Sequence, residues 1–418
     1  MDFDNYIVNI GKRAKDASRI MVTISTDMKN NALLNMAEAL INSKDIIIKA
    51  NAKDMELGTK NNLSVAMLDR LMIDQQRIEN MAEGLKDVAK LPDPIGEGIK
   101  RWKRPNDLDI SMVRVPLGVI GMIYESRPNV TVDAAALCIK AGNSIILRGG
   151  SEAINTNRAL AKVIIEAATF VGLPEGCIQL IDMVDRELVN KLVRLNDYVD
   201  VIIPRGGKGL KKAIIANATV PVIETGAGVC HIYVDSGADL SMAEEIVVNA
   251  KTQRPGVCNA VETVLVHKDI ASEFLPRISQ RLYELGVEIR ICEKGIGMIF
   301  GAKVASDEDW ATEYKDLILS IKVVDSMEEA IDHIFKYGTK HSEAIVTNNY
   351  TNSQRFLKEV DASCVYVNAS TRFTDGAEFG FGAEIGISNQ KLHARGPMGL
   401  EQLTTTKYLI YGDGQVRK

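Results

Sequence analysis

Between residues 119 and 367, short apolar runs alternate with amphipathic stretches, and this alternation constrains the chain more than any other feature. The runs at 119–122, 144–147, 178–181, 199–203 and 231–234 are short enough for strands. They flank stretches of helical period, one of which sets Leu160, Val163, Ile164, Ala167, Ala168 and Val171 on one face. Near-continuous apolar strands joined by helices predict a parallel, doubly wound sheet, because crossover helices cover both of its faces. Gly172 with Pro174 two residues later is the expected stop for that helix. A second series follows, with a helix near 239–252, a strand at 263–266, a helix from Asp269, and strands near 317–324, 344–347 and 365–367. At 418 residues the chain exceeds what one core usually supports, so two α/β domains are expected.

The first hundred residues read as helical. Thr26 is placed to cap a helix with a stripe of Leu33, Leu34, Ala37, Leu40 and Ile41; a later helix from about Ser64 carries Met67, Leu68 and Leu71 until Pro92 and Pro94 stop it. Residues 100–114, charged and extended around Pro105-Asn106, and the β-prone 404–411 fit neither series. Together they predict a small projecting sheet. Its exposed edge invites pairing with a second copy, so a homo-oligomer is expected, with an ordinary surface hairpin as the alternative.

A net charge of -5 excludes the broad basic surface that nucleic acid or anionic membranes require. No apolar run is long enough to cross a bilayer, and the acidic start Met1-Asp2-Phe3-Asp4-Asn5 lacks the pattern of a signal peptide. Small molecules are the expected partners. The six cysteines show no Cys-x-x-Cys spacing, which argues against a zinc site or a disulfide framework and for a reducing, cytoplasmic compartment; no metal is expected. Five read as small buried hydrophobes.

Cys258 is the sixth. It lies in Arg254-Pro255-Gly256-Val257-Cys258-Asn259-Ala260, a turn between a helix and a strand that can present a side chain to a cleft. A free thiol titrates near about 8.5, so a nucleophilic role requires a lowered pKa or sulfur's intrinsic reactivity. After the run ending at Ile203 comes Pro204-Arg205-Gly206-Gly207-Lys208-Gly209, entering a helix. Its amides and cations suit a phosphate, although glycine-rich turns also arise for geometric reasons alone. Arg148, followed by Gly149-Gly150-Ser151, can hold the extra phosphate of NADPH or stand as a solvated strand-end arginine.

The segment from Val324 to Ile345, Val-Asp-Ser-Met-Glu-Glu-Ala-Ile-Asp-His-Ile-Phe-Lys-Tyr-Gly-Thr-Lys-His-Ser-Glu-Ala-Ile, resembles the signature of the γ-glutamyl phosphate reductases, a branch of the aldehyde dehydrogenase superfamily. Further segments carry the same resemblance: Tyr124 to Thr131, Pro255 to Thr263, Tyr366 to Gly376, and Leu392 to Pro397.

The resemblance implies an aldehyde dehydrogenase-like fold with two Rossmann-like domains and an oligomerisation hairpin. The expected cofactor-binding domain comprises residues 1–97, 116–230 and 391–404, the catalytic domain 231–390, and the hairpin 98–115 and 405–418. It also implies NADPH-dependent reduction of L-glutamyl 5-phosphate to glutamate 5-semialdehyde and phosphate in proline biosynthesis, through a thioester on Cys258. The backbone N–H of Cys258 and a side chain of Ser126 or Asn129 would stabilise the oxyanion. Arg148, Arg205, Gly206 and Gly207 would face the cofactor, and Glu313 its nicotinamide ribose. Arg127, Arg372, Asp375 and Glu378 are candidates for the glutamyl amino and carboxylate groups; His341 would orient a loop.

Glu224 falls where hydrolytic relatives keep a water-activating glutamate. Here Thr225 departs from their pattern, so water activation and a structural carboxylate both stand. The unstable acyl phosphate implies a separate glutamate 5-kinase. Two other readings are a hydrolytic NAD(P)-dependent aldehyde dehydrogenase, marked by turnover without phosphate, and a non-catalytic cofactor-binding scaffold, marked by no preferential alkylation of Cys258.

Overall fold

The computed structural model describes residues 2–417; positions 1 and 418, the outer ends of the expected first-domain and hairpin ranges, lie outside them. Its contacts divide into two units, one running to Glu224 and taking in Gly380–Gly386 and the segment from Met398, the other comprising Thr225–Phe379 and Ile387–Pro397.

The first unit opens with helices Phe3–Met21, Thr26–Asn42, Lys44–Lys60, Val65–Leu71 and Gln75–Lys90. Ser25 rather than Thr26 caps the second, its side chain accepting the Met28 N–H, so that Thr26 becomes the first helical residue. On that helix Leu33, Ala37 and Leu40 are buried, but Leu34 and Ile41 at the margins of the expected stripe are exposed. The single helix expected from Ser64 to the prolines is two helices. Met72 leaves the helical conformation, and Asp74 starts a new helix by accepting the Arg77 N–H, a capping bond that competes with continuing the first.

Strands β1 (Gly98–Lys103), β2 (Asp109–Pro116), β3 (Val119–Tyr124), β4 (Ser144–Arg148), β5 (Ile178–Leu180) and β6 (Val201–Arg205) follow. β3 to β6 form a parallel sheet in the order β5-β4-β3-β6. Every residue of β3 and β4 is buried, which is why these strands read as continuous apolar runs. Val119, Ile123, Ile146 and Ile202 pack in one core with Ile7, Ile10 and Ala14 of the first helix. Strand order reverses at β3, so the carboxyl ends of β3 and β6 flank the crevice where open α/β sheets take their ligands.

The second unit contains β7 (Cys230–Val234), β8 (Val261–His267), β9 (Glu288–Ile291), β10 (Lys303–Val304), β11 (Ile318–Val324), β12 (Ser342–Val346) and β13 (Cys364–Val367). They form a parallel sheet in the order β10-β9-β11-β8-β7-β12-β13. The run 231–234, grouped by its apolar pattern with the first series but falling within the expected catalytic range 231–390, is β7 of this sheet, bonded between β8 and β12 near its middle. Val247, Val264, Phe274, Leu275, Ile289 and Leu319 form its main core. Strands β9 and β10 and the helices Met327–Tyr337 and Tyr350–Glu359 complete elements that the sequence pattern left unassigned.

β14 (Ile387–Ser388) pairs with β15 (Gly396–Pro397), and β16 (Thr404–Tyr411) pairs antiparallel with β2, giving the expected small sheet β1-β2-β16 in the first unit. The division assigns residues 225–230 to the second unit, where the Gly226 N–H donates to Ile387 O at 3.0 Å. It assigns 380–386 to the first, where the Ile385 N–H donates to Met398 O at 2.9 Å, and residues 391–397, expected in the cofactor domain, to the second. Among the described residues no helix is long and apolar enough to cross a membrane.

Candidate active site

Helix Leu240–Thr252 ends just before the turn that carries Cys258 into β8, and the cysteine is partly exposed there. The Ala260 N–H closes the turn on Val257 O at 3.2 Å. The carbonyl of Cys258 faces inward and accepts from Cys230 Sγ at 3.2 Å. Beside it runs Gly228, where a Cβ would stand 1.4 Å from the Cys258 oxygen, so that close approach admits only glycine. Gly228 is tethered in turn, its N–H donating to Glu313 Oε1 at 2.8 Å, while the carboxylate of Glu313 also pairs with Lys315 at 3.0 Å. Glu313, expected at the nicotinamide ribose, therefore has a bond to the strap behind the thiol.

The following residue is clamped from the other side. Asn259 Nδ2 donates to Thr374 O at 2.8 Å and Arg372 O at 3.2 Å, and Thr371 Oγ1 donates to Asn259 O at 2.7 Å. Arg372 donates to Asn259 Oδ1 and, at 2.8 Å, to Gln253 Oε1. Burial, joined by the charge of Arg254, lowers the pKa of Arg372, with Asp375, Cys258 and Glu378 pulling the other way. Arg372, Asp375 and Cys258 thus share one electrostatic neighbourhood. Asp375 Oδ1 accepts the Ala377 N–H at 2.9 Å.

Two buried polar clusters stand behind this turn, and neither was read from the sequence. Lys251 and Glu262, both fully buried, pair at 2.6 Å, and Glu262 Oε1 also accepts the Lys315 N–H at 3.2 Å. Burial raises Glu262 to about 7, against the pull of Lys251, and lowers Lys251. The second cluster gathers the polar residues of the 324–345 signature around β7. Glu343 Oε2 accepts from the backbone N–H of His231 at 2.8 Å and lies 2.9 Å from its Nδ1. His333 packs edge-on against His231 and Trp310, at 5.5 and 5.4 Å between ring centres, and its burial drives its pKa down to about 2. His341, fully buried, has Nδ1 2.8 Å from Ser342 Oγ and 3.9 Å from Cys230 Sγ.

The first unit holds the remaining candidates at the carboxyl edge of its sheet. Ser126, two residues past the end of β3, has a left-handed backbone (φ 46°), and its N–H and Oγ–H both donate to Glu152 Oε1, at 2.6 and 2.9 Å. Asn129 donates to Asp133 at 2.8 Å; burial raises the Asp133 carboxyl to about 6, with Asn129 and Arg205 opposing. Both side chains proposed as oxyanion donors thus have carboxylate partners. Arg127 is exposed, and Glu224 is partly buried where the chain leaves this unit.

Arg148 is not the solvated strand-end arginine offered as the alternative. It is only 9 % exposed, its guanidinium donates to the carbonyls of Gly149 and Asp185, and its Nε has no partner. Across the crevice, Gly207 is the N-cap of helix Lys208–Asn217, which lacks a side-chain cap bond of its own; the Gly207 N–H donates instead to Glu125 Oε2 at 2.8 Å. Glu125, Ser126, Ser151 and Glu152 line one side of a cavity of about 420 Å³ whose other wall includes Leu57, Leu63 and Met67. A buried guanidinium with an unused donor and the amide end of a ten-residue helix suit an anionic dinucleotide. Among the described residues no group of three His, Cys, Asp or Glu is placed to hold a metal ion.

Of the cysteines read as plain hydrophobes, Cys138, Cys177 and Cys364 are buried, whereas Cys292 is partly exposed and its sulfur accepts the Val323 N–H at 3.2 Å. Cys230 is buried but bonded, as described above. Glu125 and Glu152 carried no local signal, since each acts on a residue far along the chain.

A thiol on a strand-entry turn in one α/β unit, with a glycine-rich strand-to-helix loop in another, is the equipment of an aldehyde dehydrogenase. Residues 6–297 match the model of the aldehyde dehydrogenase family, and the chain belongs to that family, within its γ-glutamyl phosphate reductase branch. It is 61% identical to a γ-glutamyl phosphate reductase of Clostridium tetani, with all of each chain covered, and 63% identical to one of Moorella thermoacetica over 98% of each. The crystal structure of γ-glutamyl phosphate reductase from Thermotoga maritima superposes with a TM-score of 0.97 at 49% identity, covering 99% of this chain and 100% of that one.

Proposed function

We propose that this chain reduces L-glutamyl 5-phosphate to L-glutamate 5-semialdehyde and phosphate in the cytoplasm, with NADPH as its reductant and Cys258 as its nucleophile. The observation that carries the reading is full-length similarity to reductases of that name, joined to a partly exposed cysteine whose backbone is fixed on two sides.

Phosphate is a good leaving group where a free carboxylate offers none. The Cys258 thiolate attacks the acyl carbon, the carbon–oxygen bond to phosphate breaks, and a thioester remains on the protein. The dinucleotide, when bound, supplies the hydride that reduces this thioester. The resulting thiohemiacetal oxyanion collapses, its carbon–sulfur bond breaks, and Cys258 leaves as thiolate. Each addition builds charge on oxygen, and the Cys258 N–H is the proposed backbone donor, such a donor contributing roughly 10²- to 10³-fold in rate. Asn129 or Ser126 completes the oxyanion site after letting go of Asp133 or Glu152.

Arg148, Arg205, Gly206 and Gly207 hold the cofactor's phosphates, and Arg148 discriminates NADPH from NADH. Glu313 serves the ribose, and Arg127, Arg372 and Asp375 the amino-acid end of the substrate. Glu224 is a structural carboxylate, since phosphate rather than water resolves the thioester in the reverse direction. The first unit acts as the cofactor domain and the second as the catalytic one. The sheet β1-β2-β16 joins copies of the chain, and a separate glutamate 5-kinase supplies the substrate.

The reverse assay tests the reading. Semialdehyde with NADP should turn over only when phosphate is present, and Cys258→Ala should abolish it with the fold intact. Turnover without phosphate, or an active alanine variant, would remove the proposed chemistry.

A further inference from the structure

The reactive side chain sits on a turn, and a turn needs something to fix its peptide planes. On the Asn259 side the amide of that residue and the 371–374 segment do so. On the inner side the Cys258 carbonyl enters a slot formed by the bare Cα of Gly228 and the sulfur of Cys230, with Sγ 3.2 Å from the oxygen. We propose that Cys230 is a positioning residue for the reaction, its S–H donating to the Cys258 carbonyl and thereby setting the backbone angle from which the nucleophilic thiol projects.

Three features support this assignment. The separation is short for a bond donated by sulfur, and a thiol is a weak donor that forms such a contact only when geometry favours it. Cys230 is fully buried, and burial pushes its pKa well above the ordinary range, so the species present is the S–H that can donate. The His341 ring is farther, with Nδ1 3.9 Å from the sulfur, and that nitrogen lies closer to Ser342 Oγ, at 2.8 Å.

The mount of Cys230 is stiff. It opens β7, its neighbour His231 is bonded through both backbone and ring to Glu343, and the Val229 N–H donates to Thr339 Oγ1 at 3.0 Å. The signature segment therefore acts on the turn through β7: Glu343 and His333 hold His231, and His341 backs the sulfur. An error of about 1 Å in a reacting group can cost on the order of 10²-fold, which is why a single weak bond at this place matters.

The proposal rests on Cys258 being the nucleophile, and the experiment separates the two claims. Cys230→Ser, Cys230→Val and Cys230→Ala are compared in phosphate-dependent semialdehyde oxidation, with thermal melts and with the rate of Cys258 alkylation by iodoacetamide at several pH values. Serine keeps a donor, and valine keeps apolar bulk without one. The expected result is kcat within about threefold of the parent for serine, a fall of roughly tenfold or more for valine and alanine with KM for phosphate and NADP unchanged, and slower alkylation in the same two variants. Valine matching the parent, or serine and valine falling equally, would overturn the proposal, and that comparison stands if alanine fails to fold. An active Cys258→Ala enzyme would instead remove the nucleophile itself.

Discussion

Glu125 shows how a single carboxylate can bear on a whole site. Its oxygen accepts the Gly207 N–H at the start of helix Lys208–Asn217, the place where amides and helix dipole favour an anion. If the cofactor's phosphates use those amides, they meet an acceptor already in place. Glu125→Gln should therefore tighten NADPH about two- to fivefold in a fluorescence titration, more at low salt, in line with roughly 0.3–1 kcal/mol for a charge at an exposed helix end. Unchanged or weaker binding would remove Glu125 as a competitor. His333 is a second case. Its ring nitrogens lack hydrogen-bond partners, and it stays neutral down to about pH 2, whereas an unfolded histidine takes up a proton near about 6.5. The folded pKa is depressed, so this contribution to stability is full above about pH 6.5 and is lost as pH falls, at about 1.4 kcal/mol per unit. In urea titrations, His333→Leu should lose about 2 kcal/mol less than the parent between pH 7 and pH 5. Cys258 and Arg148 were legible in the sequence because reactive or charged residues at strand-entry and strand-exit turns stand out by type. The carboxylates that fix the backbone around them were not, because Glu152 reaches Ser126 and Glu313 reaches Gly228 across spacings that no local pattern encodes.

At the scale of elements, the buried pair of Lys251 and Glu262 ties helix Leu240–Thr252 to β8, with a further bond to the Lys315 backbone near Glu313. Removing one partner strands a charge in the core. Lys251→Met should destabilise the protein by about 3–5 kcal/mol in urea unfolding, and adding Glu262→Leu should restore part of that loss. The restoration stays partial because the Lys315 N–H then loses its acceptor. Equal stability of parent and single variant would mean that water reaches the pair. A lysine and a glutamate in core elements are the signals that pointed there, yet sequence alone does not say that they face each other. Strands β3, β4, β7 and β8 were recognisable because burial on both faces leaves an unbroken apolar run. The same property leaves β7 ambiguous in the apolar pattern alone, since such a run looks alike in either sheet; the expected catalytic range 231–390 contains it, and its pairing with β8 and β12 assigns it to the second sheet. The break at Met72–Asp74 was missed because apolar periodicity resumes after it; the capping aspartate was the available cue.

For the whole molecule, full-length similarity to γ-glutamyl phosphate reductases makes the paired strands outside both main sheets part of the shared design rather than an appendage. β2 is central in the small sheet, so β16 is an edge, and along it Tyr408, Ile410 and Tyr411 are 56%, 60% and 62% exposed. Arg101 of β1 pairs with Asp109 of the neighbouring β2, and Trp102 meets Tyr408 edge to face at 6.2 Å. A long edge with exposed apolar side chains is a template for another chain unless something covers it, and a second copy of this sheet is the proposed cover. Tyr408→Asp with Ile410→Lys places charges on that edge and leaves the β2 ladder its backbone partners. In light scattering the double variant should have a lower mass than the parent at equal concentration, while its thermal melt at high dilution stays close to the parent's. An unchanged mass would remove this edge as the contact between copies.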